Sequence, residues 1–101
     1  MNTANLQLEG LLMAMAEINR LLVDKGLMDR GDVAMALRRA EASLGNEEKA
    51  AVLSPANRDA MAFPVRLLQL ANSLRSDEDM PSFTELARLV GETKEPYNDQ
   101  I

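Results

Sequence analysis

The chain has 101 residues and a formal net charge of −5, and it contains neither cysteine nor histidine. The missing residue types exclude disulfides, metal sites built from thiolate or imidazole ligands, and nucleophilic centres that pair serine or cysteine with histidine. This length predicts a single domain, and two phenylalanines and one tyrosine are too few for a base-stacking surface on single-stranded nucleic acid.

A domain of this size has a small stability margin, because its apolar burial only slightly exceeds the entropy lost on folding. Neither a disulfide nor a cysteine- or histidine-based metal site is available to widen that margin. We therefore expect extra apolar area to be buried between two copies of the chain, as a homodimer. No basic segment followed by an apolar core opens the sequence, and no apolar run reaches membrane-spanning length, so we expect a cytoplasmic protein without membrane contact.

The first predicted helix runs from about residue 5 to Lys25. Gly26 stands where a left-handed residue ends a helix, and Leu27 is placed to pack back on Leu22 in a Schellman ending. Apolar residues at alternating spacings of three and four form one stripe, which we predict to face the core and which Leu12 and Val23 widen: Leu8, Leu11, Met15, Ile18 and Leu22.

Asp29 is predicted to cap a second helix from about Arg30 to Leu44, and Gly45 to end it. The connection between the first two helices is short, which favours an antiparallel αα-hairpin. The apolar stripe of this second helix consists of Val33, Leu37, Ala40 and Leu44.

A short helix and a longer one are predicted next. Asn46 is placed to cap the short helix at residues 47–53, and Ser54 with Pro55 is typical of the start of the longer one. Pro64 lacks an amide hydrogen, so it predicts a kink or a break near Phe63, with the kink favoured because phenylalanine caps poorly. The predicted apolar face comprises Ala60, Phe63, Leu67, Leu70, Ala71 and Leu74, and the predicted outer positions are Arg66, Gln69 and Ser73.

The last predicted helix follows a polar loop at residues 76–81. Ser82 and Glu85 have the spacing of a capping box, and Gly91 is predicted to end the helix. Its apolar residues are Leu86, Leu89 and Val90. The sequence thus predicts one all-α domain over residues 1–93, a small bundle of about four to five helices beginning with the hairpin. Residues 94–101 are predicted to form a polar, frayed tail.

The stretch ELARLVG at residues 85–91 resembles the first helix and turn of helix-turn-helix proteins, with Ala87 at the helix crossing and Gly91 in the turn. The resemblance implies a recognition helix immediately afterwards. Only ETKEPYNDQI follows, and Pro96 falls in the presumed first turn. Residues 1–76 are electrically balanced, so residues 77–101 carry the whole net charge of −5, the wrong sign for binding phosphate. We therefore expect no nucleic-acid binding and assign no recognition residue.

The stretch DEDMPSFTELAR at residues 77–88 begins like a calcium-binding EF-hand loop but departs from that pattern at three positions. Pro81 occupies the fifth position, and Ser82 occupies the sixth, where the pattern requires glycine. Arg88 occupies the twelfth position, where the pattern requires a bidentate glutamate. We expect a solvated loop and no bound cofactor.

Two other charged pairs have simple interpretations. Arg38 and Arg39 point about 100° apart on a helix and lack a glycine-rich loop, so we expect a solvated face. Glu47 and Glu48 are better interpreted as first-turn helix charges than as a general acid and base. The sequence therefore predicts no catalytic residue and no enzymatic activity.

Three apolar residues of the first helix lie outside its predicted core stripe and form the candidate interaction surface: Leu6, Met13 and Leu21. The leading hypothesis is a non-catalytic helical interaction or accessory module that self-associates. The alternative is an acidic relative of helix-turn-helix regulators that binds a protein instead of DNA, and the third hypothesis is a small enzyme or enzyme subunit. The sequence leaves the dimer interface open, with the Phe63, Leu67, Leu70 and Leu74 face as the next candidate.

Overall fold

The computed structural model describes residues 3–74 and 79–93, and all regular structure in these ranges is helical. The α-helices are α1 (Thr3–Asp24), α2 (Arg30–Asn46), α3 (Pro55–Leu74) and α4 (Phe83–Thr93), with a 3-10 helix (Glu48–Val52) between α2 and α3. Of the described residues, 86% are helical, which confirms the predicted all-α bundle. The predicted tail at residues 94–101 lies outside the described ranges.

Helix α3 is the centre of the bundle, because α1, α2 and α4 each pack against it. The side chain of Asn72, near the end of α3, donates a hydrogen bond to the carbonyl of Arg30, at the start of α2. Arg66, earlier in α3, contacts Glu41, later in α2, so these two helices run antiparallel. Helices α1 and α2 follow one another across a short turn, but each packs chiefly on α3. The predicted hairpin pairing of α1 with α2 is therefore replaced by a pairing of each helix with α3.

The core is one cluster of buried side chains contributed by α1, α3 and α4. Leu67 and Leu86 are its largest fully buried side chains. The cluster comprises Leu12, Ala16, Leu67, Leu68, Ala71, Leu86 and Val90. The predicted face of α3 is correct at Leu67 and Ala71, but Ala60 and Leu74 are exposed and Leu68 is buried instead. Three neighbouring helices surround α3, so its buried surface is wider than one stripe.

The turn after α1 has the predicted Schellman geometry. Gly26 has a φ of 74°, in the left-handed region that favours glycine. Its amide donates to the carbonyl of Val23 at 3.0 Å, and the amide of Leu27 donates to the carbonyl of Leu22 at 3.1 Å. The side chain of Leu27 is 70% exposed, so the predicted packing of Leu27 on Leu22 is at most partial.

Helix α2 begins as predicted and ends later than predicted. The Asp29 carboxylate accepts from the amide of Asp32 at 2.8 Å, and the Asp32 carboxylate accepts from the amide of Asp29 at 3.0 Å. Gly45 does not end the helix, because glycine also adopts helical angles, and α2 continues to Asn46. Asn46 is therefore the last residue of α2 and not the cap of a following helix. On the predicted stripe, Ala40 is exposed.

Helix α3 starts at the predicted Ser–Pro pair and is continuous through Pro64. The hydroxyl oxygen of Ser54 accepts a hydrogen bond from the amide of Asn57 at 3.1 Å, which satisfies one free donor of the first turn. Of the two outcomes predicted at Pro64, a break therefore does not occur.

Helix α4 has the predicted capping contact at its start, since the Ser82 hydroxyl oxygen accepts from the amide of Glu85 at 3.1 Å. Leu86 and Val90 are buried as the sequence predicts. The helix continues past Gly91 to Thr93, so Gly91 does not end it and is not in a turn. This removes the turn on which the likeness to helix-turn-helix proteins depends.

Candidate interaction surface

Helix α1 buries a different face from the predicted one. Leu12 and Ala16 are each 3% exposed and belong to the core cluster. In contrast, Leu11 is 62% exposed, Met15 39% and Ile18 51%. Successive helical residues point about 100° apart, so the buried face is rotated by about that angle from the predicted stripe. The prediction that Leu11, Met15 and Ile18 fill the core is wrong.

We call the row Leu11, Met15, Ile18 and Leu22 the outer seam; its first three residues are exposed. Leu22 is half-buried at its inner edge, and Leu21 lies beside Ile18 and is 54% exposed. The charged residues Glu17 and Asp24 lie more than about 90° away around the helix, where both contact the guanidinium of Arg20, at 3.9 and 3.7 Å. The outer seam is therefore an apolar surface from Leu11 to Leu22, and the exposed Lys25 continues the same row at its end.

The three sequence-predicted surface residues do not form one surface. Leu6 and Leu21 are 51% and 54% exposed, as expected of surface residues. Met13 is half-buried and packs against the core cluster, because the rotation of α1 brings its side toward the bundle. Leu21 borders the outer seam, whereas Leu6 lies more than about 90° away from it around the helix.

Other exposed large apolar residues are scattered over separate elements. They are Leu27 in the turn after α1, Met35 on α2, Val52 on the 3-10 helix and Leu74 at the end of α3. Single exposed apolar side chains are common on protein surfaces and need no special explanation. The outer seam differs from them because its members follow one another along a single helix.

A groove of about 700 Å³ lies between α1, α3 and α4. Its walls include Leu8, Val90 and the rings of Phe63 and Phe83, which meet edge to face at a centroid distance of 6.3 Å. Asp59 lines the same groove, and its buried Oδ2 atom has no hydrogen-bond partner among the described residues. The groove surface is mainly apolar, although Glu9 and Arg66 also line it.

A polar network connects α2 with α3 beside this groove. The guanidinium of Arg66 donates to Glu41 at 3.1 Å and to Asp59 at 3.3 Å, and the Gln69 amide donates to Glu41 at 3.0 Å. The Gln69 hydrogen bond, with Arg66, holds the pKa of Glu41 below its ordinary value of 4.5, although partial burial acts to raise it. Arg66 and Gln69 were predicted to point outward, and the structure instead places them half-buried against α2.

The remaining charged residues considered above lie apart from these features. Arg38, Arg39, Glu47 and Glu48 are exposed, as expected for solvated side chains. Among the described residues, no group of three or more acidic side chains is arranged to hold a metal ion. In the same residues, no helix has the length and apolar character needed to cross a membrane. Comparison of the chain with protein-family models, with curated proteins and with solved structures finds no match.

Proposed function

We propose that this protein is a small, non-catalytic interaction module that acts by self-association. The observation that carries the proposal is the outer seam, an apolar row that the core of the bundle does not use. Leu11 and Ile18 remain more than half exposed although the core cluster lies on the same helix. An apolar face that a fold leaves uncovered is typical of a protein–protein contact.

The energetics favour a weak dimer. Leu11, Met15, Ile18 and Leu21 are each about half exposed. Burying the remainder of such a side chain gains roughly 1 kcal/mol, so four of them in each of two copies contribute on the order of 8 kcal/mol. The loss of translational and rotational freedom opposes this gain by at least about 4 kcal/mol. The difference is therefore at most about 4 kcal/mol, which corresponds to a dissociation constant of about 1 mM or weaker.

Salt dependence distinguishes apolar self-association from association through charges. Each copy carries a net charge of −5, so two copies repel one another at low ionic strength. Added salt screens that repulsion, and sulfate also strengthens apolar burial. We therefore expect the dimer to become tighter as salt is added, whereas contacts between opposite charges would weaken.

Sedimentation or light scattering over a dilution series tests the proposal. The expected result is a shift from the single-chain mass of 11.1 kDa toward twice that mass as concentration rises. A protein that remains a monomer at low millimolar concentration in sulfate refutes self-association. A mobility-shift assay with random duplex DNA at low salt tests the helix-turn-helix alternative, and we expect no shift because the wrong charge sign weakens phosphate contacts.

A further inference from the structure

We infer that the second copy binds with its own α1, so that the two outer seams pack against each other around a two-fold axis near Met15. This inference rests on the proposed self-association and specifies its surface. It replaces the sequence-based set of Leu6, Met13 and Leu21, of which only Leu21 borders the contact.

The spacing of the seam fits another helix. Leu11, Met15, Ile18 and Leu22 are separated by four, three and four residues. This is the 3.5-residue repeat by which apolar side chains of one helix fit between those of a neighbouring helix. From this spacing we predicted that the row packs in the core of the same chain. In the structure, no helix of the described residues covers Leu11 or Ile18.

The charge of the seam favours a second copy over a charged partner. The four seam residues are uncharged, and the one charged residue that continues their row is Lys25 at its end, so a highly charged peptide finds little complement there. A two-fold contact requires only that the surface be complementary to itself, with each residue used twice. An uncharged apolar row meets that requirement, and the net charge of −5 remains outside it.

The size of the contact agrees with a weak dimer. From Leu11 to Leu22 the seam is about 17 Å long at the helical rise per residue. Two helices in contact over this length, with their flanks, bury at most on the order of 1,000 Å² in total, near the lower limit for specific interfaces. Gly10 and Ala14 lie on the same exposed side, and the space around Gly10 is open, so they do not obstruct the partner helix.

The first test replaces one seam residue by a charged one. Ile18→Glu introduces two negative charges into the contact, one from each copy. Leu74→Glu is the matched control, because Leu74 at the end of α3 is 50% exposed and Ile18 is 51% exposed. We expect Ile18→Glu to raise the dimer dissociation constant at least tenfold and Leu74→Glu to change it less than about twofold after the added charge is screened with salt. Circular dichroism verifies that both variants are folded.

The second test uses the absence of cysteine from the chain. Met15 lies in the middle of the seam, so its two copies are close in either relative direction of the helices. Under mild oxidation, Met15→Cys is expected to form a covalent dimer in high yield. Leu74→Cys is the control and is expected to remain largely monomeric, because a disulfide requires α-carbons within about 7 Å.

The outcomes separate the two proposals. A wild-type protein that is monomeric at every concentration overturns both the self-association and the seam. A dimeric wild type with an unchanged dissociation constant in Ile18→Glu and no cross-link at Met15→Cys overturns the seam alone. If Ile18→Glu does not fold, the cross-linking yields of Met15→Cys and Leu74→Cys decide whether the seam is the interface. Both variants replace an apolar side chain by a smaller uncharged one, so both are expected to fold.

Discussion

Leu11 and Leu12 are adjacent and chemically identical, yet Leu12 is 3% exposed and Leu11 is 62% exposed. The difference arises because adjacent helical residues point about 100° apart, and only one direction leads to α3. The core therefore depends on Leu12, and Leu11 remains available for contacts with another molecule.

This relationship predicts different effects of the same substitution at the two positions. Leu12→Ala is expected to lower the free energy of unfolding by about 2–5 kcal/mol, because it removes a buried side chain and leaves a cavity. Leu11→Ala is expected to change it by no more than about 1 kcal/mol when the protein is dilute and monomeric. Urea unfolding measures both values. Equal losses would contradict the orientation of α1.

Substitutions at two glycines with similar surroundings are expected to change the stability of the protein in opposite directions. Both Gly10 and Gly26 have open space where a Cβ would stand, but only Gly26 has a positive φ, of 74°. Gly26→Val is expected to destabilise the protein by about 1 kcal/mol or more, since a β-branched residue is strained in that region. Gly10→Ala is expected to stabilise it by roughly 0.5–1 kcal/mol, because alanine favours an exposed helix.

Thermal unfolding of dilute samples distinguishes these effects. Gly45→Ala is a further control, because Gly45 lies within α2 and also has open space around it. It is expected to raise the melting temperature in the same way as Gly10→Ala. An unchanged melting temperature in Gly26→Val would mean that the turn does not require a left-handed residue.

The Glu41 network predicts a loss of stability in acid. The pKa of Glu41 is lower in the folded protein than its ordinary value of 4.5, so the ionised carboxylate stabilises the fold. That contribution is complete above the unfolded pKa and disappears as the pH falls through the lower folded pKa. We expect Glu41→Gln to flatten the decline in unfolding free energy as the pH falls through and below 4.5.

Urea unfolding at several pH values measures this decline in both proteins. Glu48→Gln is a suitable control, because Glu48 is exposed and carries a similar charge. If Glu41→Gln and Glu48→Gln alter the pH dependence equally, the contacts of Glu41 with Gln69 and Arg66 do not stabilise the fold.

Asn72 joins the end of α3 to the start of α2. Its side chain is only 9% exposed, and its Nδ2 atom donates to the carbonyl of Arg30 at 3.1 Å. Asn72→Ala leaves that carbonyl without this donor and is expected to cost about 1–3 kcal/mol of stability. Ser73→Ala, at the exposed neighbouring position, is expected to change stability by less than about 0.5 kcal/mol. Chemical denaturation compares the two, and equal effects would contradict a structural role for Asn72.

The sequence by itself determined the local features of this protein. The turn at Gly26, the cap at Asp29 and the start of α3 at Ser54 each depend on a few neighbouring residues, and each was predicted correctly. The ends assigned to Gly45 and Gly91 were not, because glycine permits a helix end without requiring one. In both cases the helix continues beyond the glycine.

The tertiary structure decided which apolar face of α1 is buried. Helix α1 is apolar on two sides. The 3.5-residue spacing of Leu11, Met15 and Ile18 indicates that this row packs against a helix, but it does not indicate which helix. The position of α3 selects Leu12 and Ala16 for the core, and the same choice turns the more regular row toward the surface. Burial is decided by contacts between residues distant in the sequence, and periodicity within one helix contains no information about them.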